Sequence, residues 1–285
     1  MINKLLSILL VLSALTLSCK KETRDLKEIQ DAEILSYLRS NNLNNFIKDT
    51  SGFYYNILQQ GKGKILQDSD LIFYFQNIKT QSGVELVNHN KYNYNTNYLG
   101  YLSYGPIGFY KSVLAVVNKG GKIRSIIPSY MAYGKDGNGG LVKGNELIDA
   151  TFEVINAKNV IAAEDTIITR YKKTLDLDFT RDASGVYYNI ITPGDGASVS
   201  LTSTISASYV GKFFDGVQFD ASAAGAPIVT GFGRVIKGWQ VLTKIKKGGK
   251  MRLLIPSHRA YGTGGFNTIP ANTPLDFEIE LVDVK

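Results

Sequence analysis

The strongest restriction on the fold of this 285-residue chain is an internal repeat. Residues 49–57, DTSGFYYNI, match residues 182–190, DASGVYYNI, at a separation of 133 positions. Residues 120–129, GGKIRSIIPS, match residues 248–257, GGKMRLLIPS, at a separation of 128 positions. Two copies at such a long period indicate duplicated domains rather than a solenoid of short repeats. The chain length is likewise comfortable for two domains of ordinary size.

The hydrophobic pattern of the second copy is mostly that of strands. Residues 202–211 alternate apolar and polar side chains, which predicts a half-buried strand. Residues 275–284 place four apolar residues on an inner face and three acids, beginning with Asp276, on an outer face. Residues 251–255 form another predicted strand, and residues 237–246 form the one short helix. One helix against several strands predicts an α+β domain.

Each copy follows a segment that is predicted to be helical. Residues 32–47 and 162–175 both carry apolar residues at a roughly helical spacing, although the second pattern is weaker. The predicted domains are then residues 49–157 and 182–285. The first helix belongs to a tether over residues 19–48, and residues 158–181 form a linker helix.

The N-terminal segment predicts the cellular compartment. Residues 1–18 carry Lys4 near their start, continue with a short apolar run and end in small residues, which is the layout of a secretory signal. The only cysteine, Cys19, follows at once, and residues 15–19, LTLSC, resemble a bacterial lipobox. That resemblance implies lipidation at Cys19 and anchoring to a membrane of the cell envelope. Ordinary secretion with an unrelated cysteine is the alternative.

Composition excludes several other classes of function. The formal charge is +7, but the basic residues are scattered and accompany no nucleic-acid-binding motif, so no nucleic-acid partner is expected. A single cysteine permits neither an internal disulfide nor a cysteine-based metal cluster. The only two histidines, His89 and His258, lie in no metal-ligand or serine-centred motif. No metal and no cofactor are therefore expected.

Three segments of the second copy carry a family resemblance. Residues 209–211, YVG, residues 216–222, GVQFDAS, and residues 231–239, GFGRVIKGW, together resemble an FKBP-type peptidyl-prolyl cis–trans isomerase. The resemblance covers about residues 182–285. It implies, for both copies, an FKBP-like domain in which a twisted antiparallel sheet wraps around one short helix.

The resemblance also implies an active site between the sheet and the helix. Trp239 would form the floor of the pocket, Tyr261 would offer its hydroxyl to a substrate carbonyl, and Asp220 would lie at the polar edge. Ile236 would offer its backbone N–H as well as its side chain. The implied substrate-binding residues are Tyr209, Phe219, Val235, Ile236, Ile269 and Phe277.

The implied reaction is rotation about Xaa-Pro bonds of unfolded or exported proteins, with macrolides as possible inhibitors. Such rotation crosses a barrier of about 18–20 kcal/mol and breaks no bond. A pocket that binds the twisted amide more tightly than the planar one is sufficient. The alternative function is a non-catalytic envelope chaperone or assembly factor that holds proline-containing clients.

The first copy is predicted to be a degenerate FKBP-like domain with little or no activity. The repeat separations carry the site positions to the following residues: Phe219 to Leu86, Asp220 to Val87, Trp239 near Lys111, Ile269 near Val142, and Phe277 near Ala150. Tyr74 is predicted to correspond to Tyr209. Tyr133 is retained, and Phe109 or Tyr110 is an alternative floor. An excess of tyrosines lies at Tyr92, Tyr94, Tyr98, Tyr101 and Tyr104, and it marks either a recognition surface or an exposed sheet edge.

Overall fold

The computed structural model describes residues 25–89, 93–115 and 118–285. The predicted signal segment, residues 1–18, and the predicted lipidation site Cys19 lie outside these residues, as does Tyr92. In the described part of the chain, no helix combines the length and the apolar character that a membrane span requires.

The first domain is built on one antiparallel sheet. Its strands are β1 (Ile47–Lys48), β2 (Tyr54–Gln59), β3 (Leu71–Thr80), β4 (Glu85–Asn88), β5 (Asn95–Tyr98), β6 (Lys122–Ile127) and β7 (Ile148–Val154). Their spatial order is β1-β2-β6-β7-β3-β4, and β5 also pairs with β3. The order differs from the chain order because β6 and β7 lie between β2 and β3.

The second domain repeats this topology strand for strand. Its strands are β8 (Thr180–Arg181), β9 (Tyr187–Thr192), β10 (Thr204–Lys212), β11 (Gln218–Ala221), β12 (Ile228–Gly231), β13 (Lys250–Ile255) and β14 (Leu275–Val284). Their order is β8-β9-β13-β14-β10-β11, and β12 also pairs with β10. The predicted α+β class with two similar sheets is confirmed.

The helices differ in part from those predicted. The α-helices are α1 (Leu26–Ser40), α2 (Ile107–Ala115) and α3 (Val160–Lys172). Short 3₁₀ helices cover Leu99–Tyr104, Ser129–Met131, Phe232–Arg234, Lys237–Lys244 and Ser257–Arg259. The helix predicted over residues 32–47 lies earlier in the chain, at Leu26–Ser40. Asn42 has a positive φ of 54°, which is not helical, and Ile47–Lys48 pairs with β2. The short helix predicted over residues 237–246 is a 3₁₀ helix, whose three-residue period buries both Trp239 and Leu242.

Helices α1 and α3 lie on the outer faces of the two sheets in equivalent ways. From α1, the Tyr37 hydroxyl donates to Asp149 over 2.9 Å, and Arg124 of β6 donates to the same carboxylate. From α3, the Tyr171 hydroxyl donates to Asp276 over 2.8 Å. The duplicated unit therefore consists of a helix followed by a sheet.

The prediction that β14 has only one buried face needs correction. Asp276 does point to the outer face of β14, but it is only 3% exposed because α3 covers that face. The Arg252 guanidinium donates to it from Nε over 2.9 Å and from Nη2 over 2.6 Å. A charged pair thus lies under the helix, where hydrogen bonds replace the lost hydration.

Helix α3 also contacts the first domain. Its Ile167 packs in one apolar cluster with Phe73 and Phe75 from the outer face of β3, and the cluster includes Leu254 of β13. The buried Glu164 accepts a hydrogen bond from the Tyr94 hydroxyl over 3.1 Å. The helix therefore connects the two sheets by packing and by hydrogen bonds as well as by chain continuity.

Candidate active site

The floor of the candidate site is the indole of Trp239. Its 3₁₀ helix approaches β13 so closely that a Cβ atom on Gly238 would collide with the side chain of Ile255. Trp239 is consequently 4% exposed and lies in the core cluster of the second domain. Its indole Nε1 finds no hydrogen-bond partner among the described residues. An unpaired buried donor of this kind is uncommon, and it is often found at functional sites.

Aromatic rings surround the indole edge to face. The Tyr209 ring lies 5.3 Å from the Trp239 ring at 71°, and the Phe277 ring lies 5.6 Å from it at 80°. The Phe219 ring contacts the Phe277 ring at 5.5 Å and 84°. Each such pair adds about 0.5–1.5 kcal/mol beyond its area burial. The rings therefore hold one another in a fixed, apolar arrangement.

Gly211 of β10 makes room for two of these rings. A Cβ atom at this position would lie 2.7 Å from Cζ of Phe219 and 2.8 Å from Cε1 of Phe277. The sequence predicted no role for Gly211, although it stands inside the YVG motif. The glycine is required because the rings occupy the space that any side chain would take.

The polar edge of the site consists of Asp220, Tyr209 and Tyr261. The Tyr209 hydroxyl donates to Oδ2 of Asp220 over 2.6 Å, and the backbone N–H of Ala221 donates to Oδ1 over 2.9 Å. Burial raises the pKa of the Tyr261 hydroxyl, and the charge of Asp220 raises it further. Burial and the neighbouring Asp220 also raise the pKa of the Tyr209 hydroxyl. Both hydroxyls therefore remain protonated and able to donate well above neutral pH.

The structure brings the nine predicted site residues together. Eight belong to one apolar cluster or pack against it: Tyr209, Phe219, Val235, Ile236, Trp239, Tyr261, Ile269 and Phe277. The ninth, Asp220, joins them through Tyr209. The backbone N–H of Ile236 donates to no described residue, so it is available to a ligand. Phe266, which is 55% exposed, stacks on Tyr261 at 5.1 Å and 11°.

The first domain has Phe109 where the second has Trp239. Gly108 lies against Ile127 in the same way that Gly238 lies against Ile255, so the residues that follow the two glycines are equivalent. The prediction that Trp239 corresponds to a position near Lys111 is therefore wrong, and the alternative floor Phe109 is the equivalent residue. The error arose because the chain from Phe109 to Ile127 is two residues longer than the chain from Trp239 to Ile255, so the separation of 128 does not hold at this point.

The same alignment places Pro106 of the first domain at the position of Ile236. The Pro106 carbonyl accepts from the N–H of Phe109 over 2.9 Å, and the Ile236 carbonyl accepts from the N–H of Trp239 over 3.0 Å. Proline has no backbone N–H. The first domain therefore lacks the donor that the second domain presents at this point.

The equivalence of Tyr74 and Tyr209 is also wrong. The N–H of Leu99 donates to the carbonyl of Asp70, and the N–H of Phe232 donates to that of Ser203. This shared bond aligns β3 with β10 at a constant separation of 133, so Gln76 stands at the position of Tyr209. Tyr74 corresponds instead to Ala207 and fills the core of the first domain, where it is 4% exposed.

Part of the aromatic cluster of the second domain is replaced by aliphatic side chains in the first. Ile78 stands where Gly211 does, and Ala150 stands opposite it on β7 as Phe277 stands opposite Gly211 on β14. The isoleucine takes the volume that the rings occupy in the second domain. Val87, on β4, stands where Asp220 does, so the acid is lost as predicted.

Known proteins resemble the second domain in sequence. The family model described as FKBP-type peptidyl-prolyl cis-trans isomerase matches residues 196–282. The FKBP-type peptidyl-prolyl cis-trans isomerase FkpA of Escherichia coli K12 is 40% identical over 105 residues, which are 36% of this chain and 39% of that protein. A protein of Haemophilus influenzae named as a probable enzyme of this type is 34% identical over 161 residues, covering 50% of this chain and 66% of that protein.

A solved structure is also similar. The crystal structure of a peptidyl-prolyl cis-trans isomerase from Pseudomonas syringae is 35% identical, with a TM-score of 0.40, and the match covers 44% of this chain and 93% of that one. This chain spans less than two thirds of the length of the two curated relatives named above.

Proposed function

Because the C-terminal domain of this chain belongs to the FKBP-type peptidyl-prolyl cis–trans isomerase family, we propose that the chain isomerises Xaa-Pro bonds of exported proteins and so assists their folding. The observation that carries the proposal is the apolar ring cluster over Trp239, with the unpaired N–H of Ile236 beside it. Macrolides that bind this family are expected to compete for the same site.

Rotation about a Xaa-Pro bond requires little of the protein beyond this apolar pocket and its backbone donor. The planar amide owes its barrier of about 18–20 kcal/mol to resonance, which also separates charge between oxygen and nitrogen. The half-rotated amide has lost that resonance and is less charge-separated, so an apolar aromatic surface binds it better than water does. Preferential binding of the rotated state lowers the barrier, and each 1.36 kcal/mol gives about tenfold in rate.

Seven of the nine predicted site residues have a direct role in this proposal. The proline ring lies on the indole of Trp239, between the walls formed by Tyr209, Phe219 and Phe277. The Tyr261 hydroxyl and the Ile236 N–H hold carbonyl groups of the substrate, which fixes one side of the bond while the other rotates. Asp220 orients Tyr209 and keeps one edge of the site polar. No nucleophile is needed.

The first domain is proposed to be inactive. Pro106 removes the backbone donor, Val87 removes the acid, and Ala150 with Ile78 removes the aromatic wall. The sheet and its helices are intact, so these losses affect the site rather than the fold. Isomerase activity of the full chain is thus assigned to the second domain alone.

The change Ile236→Pro in the full chain tests this proposal by copying Pro106. Ile236 has φ −57° and ψ 145°, which a proline can adopt. The preceding Val235 is extended at φ −75° and ψ 166°, as the residue before a proline should be, so the change introduces no backbone strain. We expect kcat/KM for a Xaa-Pro peptide to fall about tenfold below that of Ile236→Ala, since the lost N–H contributes roughly one hydrogen bond.

Two comparisons make the result decisive. Ile236→Ala removes the side chain but keeps the N–H, and so isolates the donor, while Pro106→Ala in the first domain should change nothing. Equal activity of the proline and alanine variants would contradict the assigned role of the N–H. The proposed function itself would be contradicted if the wild-type chain showed no isomerase activity and the addition of a macrolide left the assay unchanged.

We further propose that the chain is a lipoprotein of the cell envelope, anchored through Cys19. The support is the signal-like segment of residues 1–18 and the lipobox-like residues 15–19. Several acyl chains on one cysteine give a stable anchor, at about 0.8 kcal/mol for each buried CH₂. Labelling with a radioactive fatty acid in a bacterial host is expected to tag the wild type and to leave Cys19→Ser unlabelled. Equal labelling of both would refute the anchor.

A second function, the holding of clients without catalysis, is favoured by the exposed tyrosines of the first domain. Tyr101 and Tyr104 are 56% and 85% exposed, and they lie on a 3₁₀ helix rather than on the edge of the sheet. Exposed tyrosines are typical of recognition surfaces. The two functions are compatible, because the tyrosines and the isomerase site lie on different domains.

A further inference from the structure

Glu164 of α3 is a buried carboxylate to which both domains donate hydrogen bonds. Its side chain is 1% exposed. The Tyr94 hydroxyl of the first domain donates to its Oε1 over 3.1 Å, and the Ser257 hydroxyl of the second domain donates to the same oxygen. Nδ1 of His258 lies 3.0 Å from Oε2. A buried carboxylate is costly unless such partners replace its hydration, so the loss of one partner affects how the others are held.

The backbone of Ser257 determines where the site residue Tyr261 lies. The Ser257 carbonyl accepts from the N–H of Ala260 and from the N–H of Gly262, both over 2.8 Å. These two donors flank Tyr261 in the chain. Ser257 is 2% exposed, so Glu164 rather than solvent receives its hydroxyl. A shift of Glu164 therefore moves Ser257 and, with it, the hydroxyl of Tyr261.

The first domain holds its equivalent loop in a different way. Tyr37 and Tyr171 donate to equivalent aspartates of the two sheets, which aligns α1 with α3 at a separation of 134. Gln30 therefore stands at the position of Glu164. Its side-chain oxygen accepts from the N–H and the hydroxyl of Ser129, over 2.8 and 3.1 Å, and its amide donates to a carbonyl of the same domain. The amide thus holds its loop with partners from its own domain.

The carboxylate in the second domain requires a further donor, and the first domain supplies it. A carboxylate only accepts hydrogen bonds, whereas an amide also donates. Tyr94 lies just before β5, is 2% exposed, and packs edge to face against Phe73 at 6.0 Å. Burial raises the pKa of the Tyr94 hydroxyl, and the charge of Glu164 raises it further, so the hydroxyl remains a donor. In the second domain Pro227 stands at the position of Tyr94, at the separation of 133, so the contact is particular to the first domain.

We propose that Glu164 and Tyr94 are positioning residues for the isomerase site, through which the first domain sets the activity of the second. Tyr94 holds Glu164, and Glu164 holds the loop on which Tyr261 stands. The inference rests on the proposed isomerase function, in which Tyr261 donates to a substrate carbonyl. Displacement of a positioned group by about 1 Å can cost a hundredfold in rate, so even a small shift of this loop matters. The first domain thereby has a role that requires no active site of its own.

The test is Tyr94→Phe in the full chain, assayed with a Xaa-Pro peptide. The change keeps the buried ring and removes only the hydroxyl, so both domains should stay folded. We expect kcat/KM to fall about fivefold, because Glu164 loses one of its three partners. In a Tyr261→Phe background the same change should have no further effect, since the hydroxyl that it positions is absent. Equal losses in both backgrounds would overturn the inference, because they would indicate a general loss of stability.

Two further comparisons separate this role from a structural one. Tyr54→Phe removes a buried hydroxyl that donates to Asp31 over 2.8 Å within the first domain, and it should leave kcat/KM unchanged. Glu164→Gln copies Gln30 and keeps an acceptor for Ser257, so it should retain more activity than Glu164→Ala. Equal losses for the glutamine and alanine variants would refute the role assigned to the side chain of Glu164.

Hydrogen exchange of the full chain, followed by mass spectrometry, gives a readout that does not depend on activity. The N–H groups of Ala260 and Gly262 are both bonded to Ser257, so Tyr94→Phe should speed their exchange about fivefold and leave β10 unchanged. Unchanged exchange together with unchanged activity would overturn the inference and leave the proposed function intact. Faster exchange in a protein whose wild type has no isomerase activity would refute the proposed function and support the coupling between the domains.

Discussion

Full-length protein carrying Trp239→Ala is expected to lose at least about a hundredfold in kcat/KM toward a Xaa-Pro peptide. The indole touches both Tyr209 and Phe277, so its removal takes away the floor and loosens two walls at once. If the floor supplies about 3 kcal/mol of preferential binding to the rotated amide, the rate falls by about two orders of magnitude. Since the first domain lacks the donor and the acid, its contribution should not mask the loss.

The same substitution should destabilise the second domain by about 3–5 kcal/mol, because a buried tryptophan leaves a large cavity. Urea unfolding followed by circular dichroism measures this change, and activity is then assayed where the native fraction is known. Trp239→Phe is the matched control, since phenylalanine stands at the equivalent position, Phe109, in the first domain. It should fold well and keep more activity than the alanine variant. Full activity of a folded Trp239→Ala protein would refute the site assignment.

Removal of the Asp276 carboxylate is the second change with a large expected effect. Asp276→Ala should lower the free energy of unfolding of the second domain by about 3–5 kcal/mol. The carboxylate is 3% exposed and accepts three hydrogen bonds, two from Arg252 and one from Tyr171. Without it the guanidinium, whose side chain is 22% exposed, stays under α3 with no counter-charge.

The control for this prediction is Glu278→Ala on the same strand. Its pair with Lys250 has side chains that are 45% and 36% exposed, so its loss should change stability by about 0–1 kcal/mol. Asp149→Ala should reproduce the large effect in the first domain, where Arg124 and Tyr37 hold the equivalent carboxylate. Urea denaturation of the three variants measures these differences. A similar small change for Asp276 and Glu278 would show that the buried pair adds little.

Much of the second domain was predictable because its signals are local. The strand predicted over residues 275–284 is observed as Leu275–Val284, since its alternation of apolar and acidic residues has the strand period. The repeat likewise predicted two sheets of one topology. The resemblance named nine site residues, and their assembly around Trp239 depends only on motifs that stand in order along the chain.

The position equivalent to Trp239 was predicted wrongly in the first domain because residues are inserted nearby. The first domain has two more residues between Phe109 and Ile127 than the second has between Trp239 and Ile255, so the separation of 128 pointed to Lys111 instead of Phe109. No local pattern marks where such a shift occurs. Ile78 can stand at the position of Gly211 only because the first domain also lacks the Phe277 ring opposite it. Compensation of this kind is a property of side-chain volume in three dimensions, which spacing in the sequence does not report.

The sequence by itself determined the duplication, the strand pattern and the identity of the aromatic residues, because these follow from periodicity and from ordered motifs. The tertiary structure alone decided that α1 and α3 cover the sheets, that Asp276 is buried, and that Pro106 replaces a backbone donor. It also decided that Tyr94 of the first domain donates to Glu164 of α3. The physical reason is that burial and alignment across a sheet depend on packing between segments far apart in the chain. Periodicity shows only which side chains of a single segment share a face.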